Sequence, residues 1–406
     1  MRRARRAPTE RAPSAATGVS ARLAALALAL GLAACTAGPA PIAATPAPTH
    51  EADALNVTAL LDLSGDRTPN GGPQRDALQL WLDQQGTRTP RVRVRFVDVA
   101  GSEARTILEL KRAAIEGRAD AVIVGVPVDY DAAFARIVEL AGLPVLFTLP
   151  IPDPATLAGG RWAFALAPTP AQLAKAAVDD ATRRGVLVPS LMVSDESGPA
   201  VAERVALQAE LARRGLGVPL AKVTAADVAP RLAGPLMAAR SVFFAGAVPA
   251  YIAAARPAIG SPSVPLLYFS YLAEPAALAE LREAAALATW PGSRGILAPG
   301  AEASLRAAFV RAYADRYGPP GTHAAAAYDA LSMLSGFAGT GVDAAVMRNT
   351  LEAAPFAGVA TTFTFAPARH AGFAANDLVY LRWTAQRSFP ALAPDPRLEH
   401  QPSFTP

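Results

Sequence analysis

From Asn56 onward the sequence repeats one unit: a short β-branched or apolar run, a turn rich in Gly, Pro, Ser or Asp, then a helical stretch with apolar residues three or four apart. Such alternation fits parallel sheets covered by helices on both faces, because a parallel connection needs a crossover long enough to hold a helix. It predicts strands over Val57–Leu63, Val92–Asp98, Ala121–Gly125 and Pro144–Thr148, separated by helices over Gln74–Gln85, Glu103–Glu116 and Asp131–Ala141. After Trp162–Ala167 the series begins again, with strands Leu191–Val193, Val242–Ala245 and Leu266–Phe269 and helices Gln172–Arg184, Val201–Arg214 and Ala250–Ile259. Two α/β lobes are therefore expected. Past Gly295–Pro299 the pattern turns helical: Leu305, Phe309, Tyr313 and Tyr317 form a stripe expected to be buried, and Ala324–Phe337 forms the next helix. Late strands over Thr361–Phe365 and Leu378–Trp383 precede a proline-broken tail.

The first 34 residues read differently. Arg2, Arg3, Arg5, Arg6, Arg11 and Arg22 precede an uncharged run, Leu23–Ala34, too short for a permanent membrane span and built like the apolar region of a secretory signal. It ends in Leu32-Ala33-Ala34-Cys35, which resembles the lipobox of bacterial lipoproteins; Cys35 is the only cysteine of the chain and would become the lipidated N-terminus. General secretion fits better than twin-arginine export, because apolar residues do not follow the arginine pairs directly. Thr36–Asp53, with Pro39, Pro41, Pro46 and Pro48, reads as an extended tether. No later segment offers a membrane span, so lipid is the expected anchor in a periplasmic or cell-surface location, with no intrachain disulfide in the body.

Charge excludes a nucleic-acid partner. The sequence holds 38 Lys and Arg against 34 Asp and Glu, but the six arginines and Glu10 before Cys35 leave with the signal. The remainder is close to neutral, and the basic patch that phosphate recognition needs is missing. His50, His323, His370 and His400 are scattered, so no metal-ligand spacing exists, and the sequence carries no nucleophile elbow, phosphate loop or dinucleotide fingerprint. Neither a cofactor nor a catalytic group is expected; Asp62 and Asp98 near strand ends are the weak alternative for an enzyme.

Several segments, taken in order, are similar to the type I periplasmic solute-binding proteins, in the branch of leucine/isoleucine/valine- and amide-binding receptors of ABC importers. They are Leu61-Asp62-Leu63-Ser64-Gly65, Val122–Pro127, Gly142-Leu143-Pro144-Val145, Phe164–Pro168, Phe309–Gly318, the Tyr328-Asp329-Ala330 run and Phe356-Ala357-Gly358. The resemblance implies three crossings between two discontinuous lobes. On that pattern residues 1–34 are a signal peptide and 35–54 a tether. Residues 55–167 with 299–360 form the first lobe, 168–298 with 361–392 the second, and 393–406 a tail. A small ligand would sit between the lobes at the strand carboxyl ends, and closure would be read by an ABC permease in the inner membrane, with no covalent chemistry.

For the site, Thr148 after the fourth strand is the surviving first-lobe hydroxyl, against the alternative of a buried Thr satisfied by backbone. Ser64 begins a loop running to Pro73 that either presents N–H groups to an anion or is an ordinary connection. Asp129 and Tyr130 lie where the resembling family supplies a hydroxyl to a ligand carboxylate; Asp129 is alternatively a helix N-cap. In the second lobe the resemblance points to Ser197, where the family tends to place an aromatic, and to Tyr271 and Glu274 as a wall and an ammonium-binding acid. Trp290, before Pro291-Gly292 read as a turn, either roofs the cleft or packs the hinge. The implied ligand is small, partly apolar and amine-bearing. A lipoprotein of this fold acting as a regulatory scaffold or sensor for an envelope partner is the second reading, motivated by the cleft's poverty in hydroxyls.

Overall fold

The computed structural model describes residues 54–64, 68–86, 91–116, 119–157, 160–222, 238–246, 266–272, 288–297, 300–301, 304–339, 343–384 and 391–393. All lie within the compact unit spanning His50–Pro406. The signal, Cys35, the tether, the helix expected over Ala250–Ile259 and Glu274 fall outside the described residues.

The first sheet contains β1 (Ala54–Leu61), β2 (Arg91–Asp98), β3 (Ala121–Gly125), β4 (Val145–Phe147) and β5 (Ala163–Ala165) in the order β2-β1-β3-β4-β5. Every pairing is parallel. All eight residues of β1 are buried, as expected of a strand covered on both faces. Between the strands run α1 (Thr68–Gln85), α2 (Glu103–Ile115) and α3 (Ala132–Ala141). Their ends follow from local chemistry. Ser102 caps α2 through the Arg105 N–H, and the Asp131 carboxylate accepts from the N–H groups of Ala133 and Phe134 to start α3. Gly142, at φ 65°, ends α3 in the left-handed region. Asp129, expected as a possible N-cap, is instead an exposed loop residue, because Asp131 takes that role.

The chain then crosses to a second sheet through α4 (Pro170–Arg183), which opens on a capping box between Thr169 and Gln172 with Pro170 at the first helical position. The second sheet comprises β6 (Ser190–Ser194), β7 (Leu220–Lys222), β8 (Ser241–Ala245), β9 (Leu266–Tyr268) and β10 (Ala288–Ser293), with α5 (Gly198–Arg213) after β6. Beyond β10 a single helical turn, Arg294–Leu297, leads to α6 (Leu305–Tyr317), α7 (Thr322–Ser335) and α8 (Ala344–Ala353). Side chains from these three helices join the core of the first sheet, among them Phe309, Leu331 and Leu351. A short hairpin of β11 (Phe356–Ala357) and β12 (Thr362–Phe363) precedes the last return, to β13 (Leu378–Thr384) and β14 (Ala391–Ala393). The second sheet then reads β14-β13-β10-β9-β8-β6-β7, antiparallel where β13 meets β10 and β14.

Three expectations are corrected. Trp290, Pro291 and Gly292 are not a turn but the middle of β10, paired with Leu381, Tyr380 and Val379. Thr362 and Phe363 pair with Phe356 and Ala357 in a separate hairpin, and Phe363 packs into the first core. The aromatic stripe is buried only at Phe309 and Tyr313, whereas Leu305 is 55% and Tyr317 39% exposed. A four-residue spacing drifts about 40° around an α-helix at each step, so the ends of a four-member stripe turn off the buried face.

Candidate functional site

Where the sheets' carboxyl ends converge, the β3–α3 loop meets the first turn of α5. A Cβ on Gly198 would come within 2.8 Å of the Asp129 Cβ, so the absence of a side chain at Gly198 permits this approach between segments that follow different sheets. Just before α5, Asp195 accepts from the Ser197 N–H at 3.0 Å and the Ser197 hydroxyl at 2.7 Å. Ser197 thus occupies the N-cap position without capping α5 through its side chain. Glu196 bonds Lys222 and Arg204 at 2.8 and 3.0 Å, holding the carboxylate well below the usual range, chiefly through the Lys222 contact.

On the first-sheet side the predicted hydroxyls are engaged internally. Thr148 is fully buried; its Oγ1 donates to the Gln74 side-chain oxygen and also lies 3.2 Å from the Val124 carbonyl. The Gln74 amide donates in turn to the carbonyls of Asn70, at 2.6 Å, and Gly125, at 2.8 Å. This network ties the start of α1 to the ends of β3 and β4. Ser64 is exposed and donates to Asp98, a bond that lowers the Asp98 carboxyl pKa, supported by the N–H groups of Leu63 and Ala100. Tyr130 departs from expectation most clearly. Its ring is 3% exposed and lies against Phe134 and Phe147, with centroids 5.7 and 5.2 Å away, so it is a core residue here and burial raises its pKa.

The second sheet supplies an acid that the sequence reading missed. Glu203, in the second turn of α5, accepts from the Ser270 hydroxyl at 2.7 Å and the Gly246 N–H at 3.1 Å. Burial pushes its carboxyl up to about 7, with Asp195 adding repulsion. Gly246 sits at φ 108°, and a Cβ there would fall 2.4 Å from an Asp195 oxygen, so this loop closes only around glycine. Glu203 borders a cavity of about 40 Å³ walled by Leu173, Leu207, Phe243 and Tyr268. The only sequence signal for Glu203 is an acid in the first half of a helix, which solvent-facing residues share.

Tyr271 joins residues from both parts of the fold. It is 1% exposed, and its ring lies near those of Trp290, with centroids 5.9 Å apart, and His323, 4.9 Å apart. The His323 Nε2 lies 2.7 Å from the Tyr271 carbonyl. A carbonyl only accepts, so Nε2 carries the proton. Trp290 comes from β10 and His323 from α7, so this cluster joins the second sheet to a helix packed on the first. A larger cavity, about 400 Å³, lies beside the chain crossings, bordered by Asp153, Thr169, Gln172, Thr362 and Arg369. Among the described residues no group of three metal-ligating side chains occurs, and no helix is long and apolar enough to cross a membrane.

Two mostly parallel, helix-covered sheets, joined by repeated crossings, with loops meeting at their carboxyl ends, form the architecture in which α/β proteins place a small ligand between facing loops. The chain belongs to the periplasmic binding protein family, whose profile it matches over residues 54–387. This is a family of binding receptors rather than enzymes, and a periplasmic placement goes with it. Similar solved structures share the fold at low identity. A type 1 periplasmic binding protein from Bordetella pertussis Tohama I superposes with a TM-score of 0.70 at 16% identity, covering 85% of this chain and 100% of that one. A leucine-binding protein from Thermotoga maritima MSB8 gives 0.67 at 17% identity, covering 84% and 99%. A solute-binding protein of an ABC transporter from R. palustris, in complex with 4-hydroxybenzoate, gives 0.69 at 13% identity, covering 84% and 96%. No curated protein sequence matches the chain.

Proposed function

We propose that the chain is a lipid-anchored receptor of an ABC importer that captures a small amino-acid-like or amide-like solute by closing two lobes. In this reading residues 1–34 are removed, Cys35 carries the lipid, and 35–54 tether the body. The lobes are 55–167 with 299–360 and 168–298 with 361–392, followed by a tail at 393–406. The observation that carries the proposal is the meeting of Asp129 with Gly198, loops that follow different sheets, beside a second-sheet wall containing Ser197, Ser270 and Glu203. Tyr271 is the proposed aromatic wall, and Glu274 the proposed acid beyond it. Thr148 and Tyr130 act from behind the wall as supports, because Thr148 is hydrogen-bonded to Gln74 and Tyr130 packs against Phe134 and Phe147 within the first-sheet core.

Thermal unfolding across a panel of amino acids, amides and small aromatic acids tests the receptor. A saturable rise in Tm with at least one class is expected, and a flat response across the panel refutes it. Cys35→Ser should move the protein from the membrane to the soluble fraction. The internal engagement of Thr148 favours one second reading, a non-transport lipoprotein serving as scaffold or sensor. Co-purification with an envelope enzyme instead of a permease would select it.

A further inference from the structure

The last return between the sheets carries polar groups that the fold leaves open. Residues Thr361–Phe365 read Thr-Thr-Phe-Thr-Phe, and burial alternates along them, as side chains on opposite sides of a strand do. Phe363 and Phe365 enter the first core, which leaves Thr362 and Thr364 exposed on the other side. There they border the cavity of about 400 Å³ together with Asp153, Thr169, Gln172 and Arg369. Its volume lies in the range of small-molecule sites. Directional bonds fix its frame. The Gln172 amide donates to the Phe373 carbonyl at 3.0 Å, and Asp153 Oδ1 accepts from the His370 N–H at 2.9 Å. The start of α4 and the loop after β4 are thus both tied to the last return. Ala366 and Arg369 exchange backbone bonds at 2.9 and 2.8 Å, which closes the turn that carries Arg369. A Cβ on Gly372 would fall 2.2 Å from the Phe365 ring, so bare backbone forms the wall at that point.

The open groups define what fits. The Thr362 and Thr364 hydroxyls are committed to no partner among the described residues, and the Thr169 hydroxyl accepts from the Gln172 N–H at 3.2 Å with its own proton to spare. A hydroxyl both donates and accepts, so three of them suit a guest that is itself rich in hydroxyls. Asp153 spends Oδ1 on the N–H groups of Ala155 and His370, and its other oxygen can accept from the guest. Arg369 is exposed and donates from Nη2 to the Thr364 carbonyl at 3.2 Å; among the described residues it pairs with no carboxylate, Asp153 included. A guanidinium with most of its fork unused favours a carboxylate. We infer that this cavity is a second ligand site for a small polyhydroxylated carboxylate of the sugar-acid kind, with the carboxylate on Arg369 and the hydroxyls on the threonines and Asp153. The site goes beyond the receptor reading, since it shares no residue with the meeting of Asp129 and Gly198. A guest there touches the loop after β4, the start of α4 and the last return at once. It therefore braces segments that a change of angle between the sheets must bend.

The test titrates gluconate and galacturonate into the whole chain by calorimetry. Sorbitol and galactose keep the hydroxyls without the charge, and hexanoate keeps the charge without the hydroxyls. The sugar acids should bind at least about 10-fold more tightly than either control class. Arg369→Gln should weaken sugar-acid binding roughly 10- to 100-fold, the range for losing a hydrogen bond to a charged group. Thr362→Val and Thr364→Val should each weaken it roughly 2- to 10-fold, the range for a neutral hydrogen bond. All three residues are exposed, so the variants should keep the parent Tm. Should Arg369→Gln lose stability, the two valine variants decide the matter. Sugar-acid binding that is unchanged in these variants places the guest elsewhere and overturns the site, as does equal binding of sorbitol or hexanoate. Absent sugar-acid binding beside a Tm rise with the amino-acid and amide panel overturns the site and leaves the receptor standing. Sugar-acid binding that Arg369→Gln weakens, beside a flat panel, keeps the site and refutes the receptor.

Discussion

Replacing Glu203 by glutamine should make the protein more stable, and by an amount that grows with pH. The carboxyl is held by the Ser270 hydroxyl and the Gly246 N–H, yet burial and Asp195 raise it from the usual 4.5 to about 7. Glutamine satisfies the same neighbours without a charge: its oxygen accepts from Gly246, and its amide donates to the Ser270 oxygen. The native state binds this proton more tightly than the unfolded chain does. Its contribution is therefore complete below about pH 4.5, falls as pH rises, and is lost above about 7. At 1.36 kcal/mol per pH unit, the gap between those values sets a ceiling of about 3.4 kcal/mol on the ionisation cost. Because Glu203 is only half-buried by area, solvent screening reduces this to about 2 kcal/mol. Urea unfolding of both proteins at pH 5, 6, 7 and 8 measures the difference. The curves should nearly coincide at pH 5 and separate by about 2 kcal/mol at pH 8. Asp329, also raised to about 7 by burial, titrates in both proteins and cancels in the comparison. A difference that does not change with pH would show that Glu203 is not the titrating group, and the reasoning about its site would fail.

Two further changes probe the convergence of the sheets. Gly198→Ala places a Cβ within 2.8 Å of Asp129, so small-angle scattering should report a larger radius of gyration, and solute binding should weaken, while Asp129→Gly restores both. An unchanged scattering profile would refute the contact. Thr148→Val removes the donor to the buried Gln74 oxygen and should cost about 1–3 kcal/mol in urea unfolding. It should leave solute affinity nearly unchanged, since the hydroxyl is already committed to the interior; a pure affinity loss without destabilisation would return Thr148 to the ligand wall.

The alternation of strands and helices was readable because both periodicities are local. A parallel strand covered on both faces must be continuously apolar, and Ala121–Gly125 matches the expected boundaries residue for residue. Boundaries set by caps followed less well. Asp129 and Asp131 are chemically alike, and only the loop path decided which one starts α3. Trp290-Pro291-Gly292 has the composition of a turn, but antiparallel pairing with β13, about 90 residues further on, holds it as strand.

The sequence by itself determined the α/β class and the family, since patterning and motif order are properties of neighbouring residues. Only the tertiary structure decided which polar groups are spent and which remain. Tyr130 turned into an aromatic core and Thr148 into the Gln74 network, while Glu203 came to border a cavity and Trp290 to pack against His323, where distant segments meet. Hydrogen bonding and burial depend on what the rest of the chain places alongside a residue, and that is not written in the residue's own stretch of sequence.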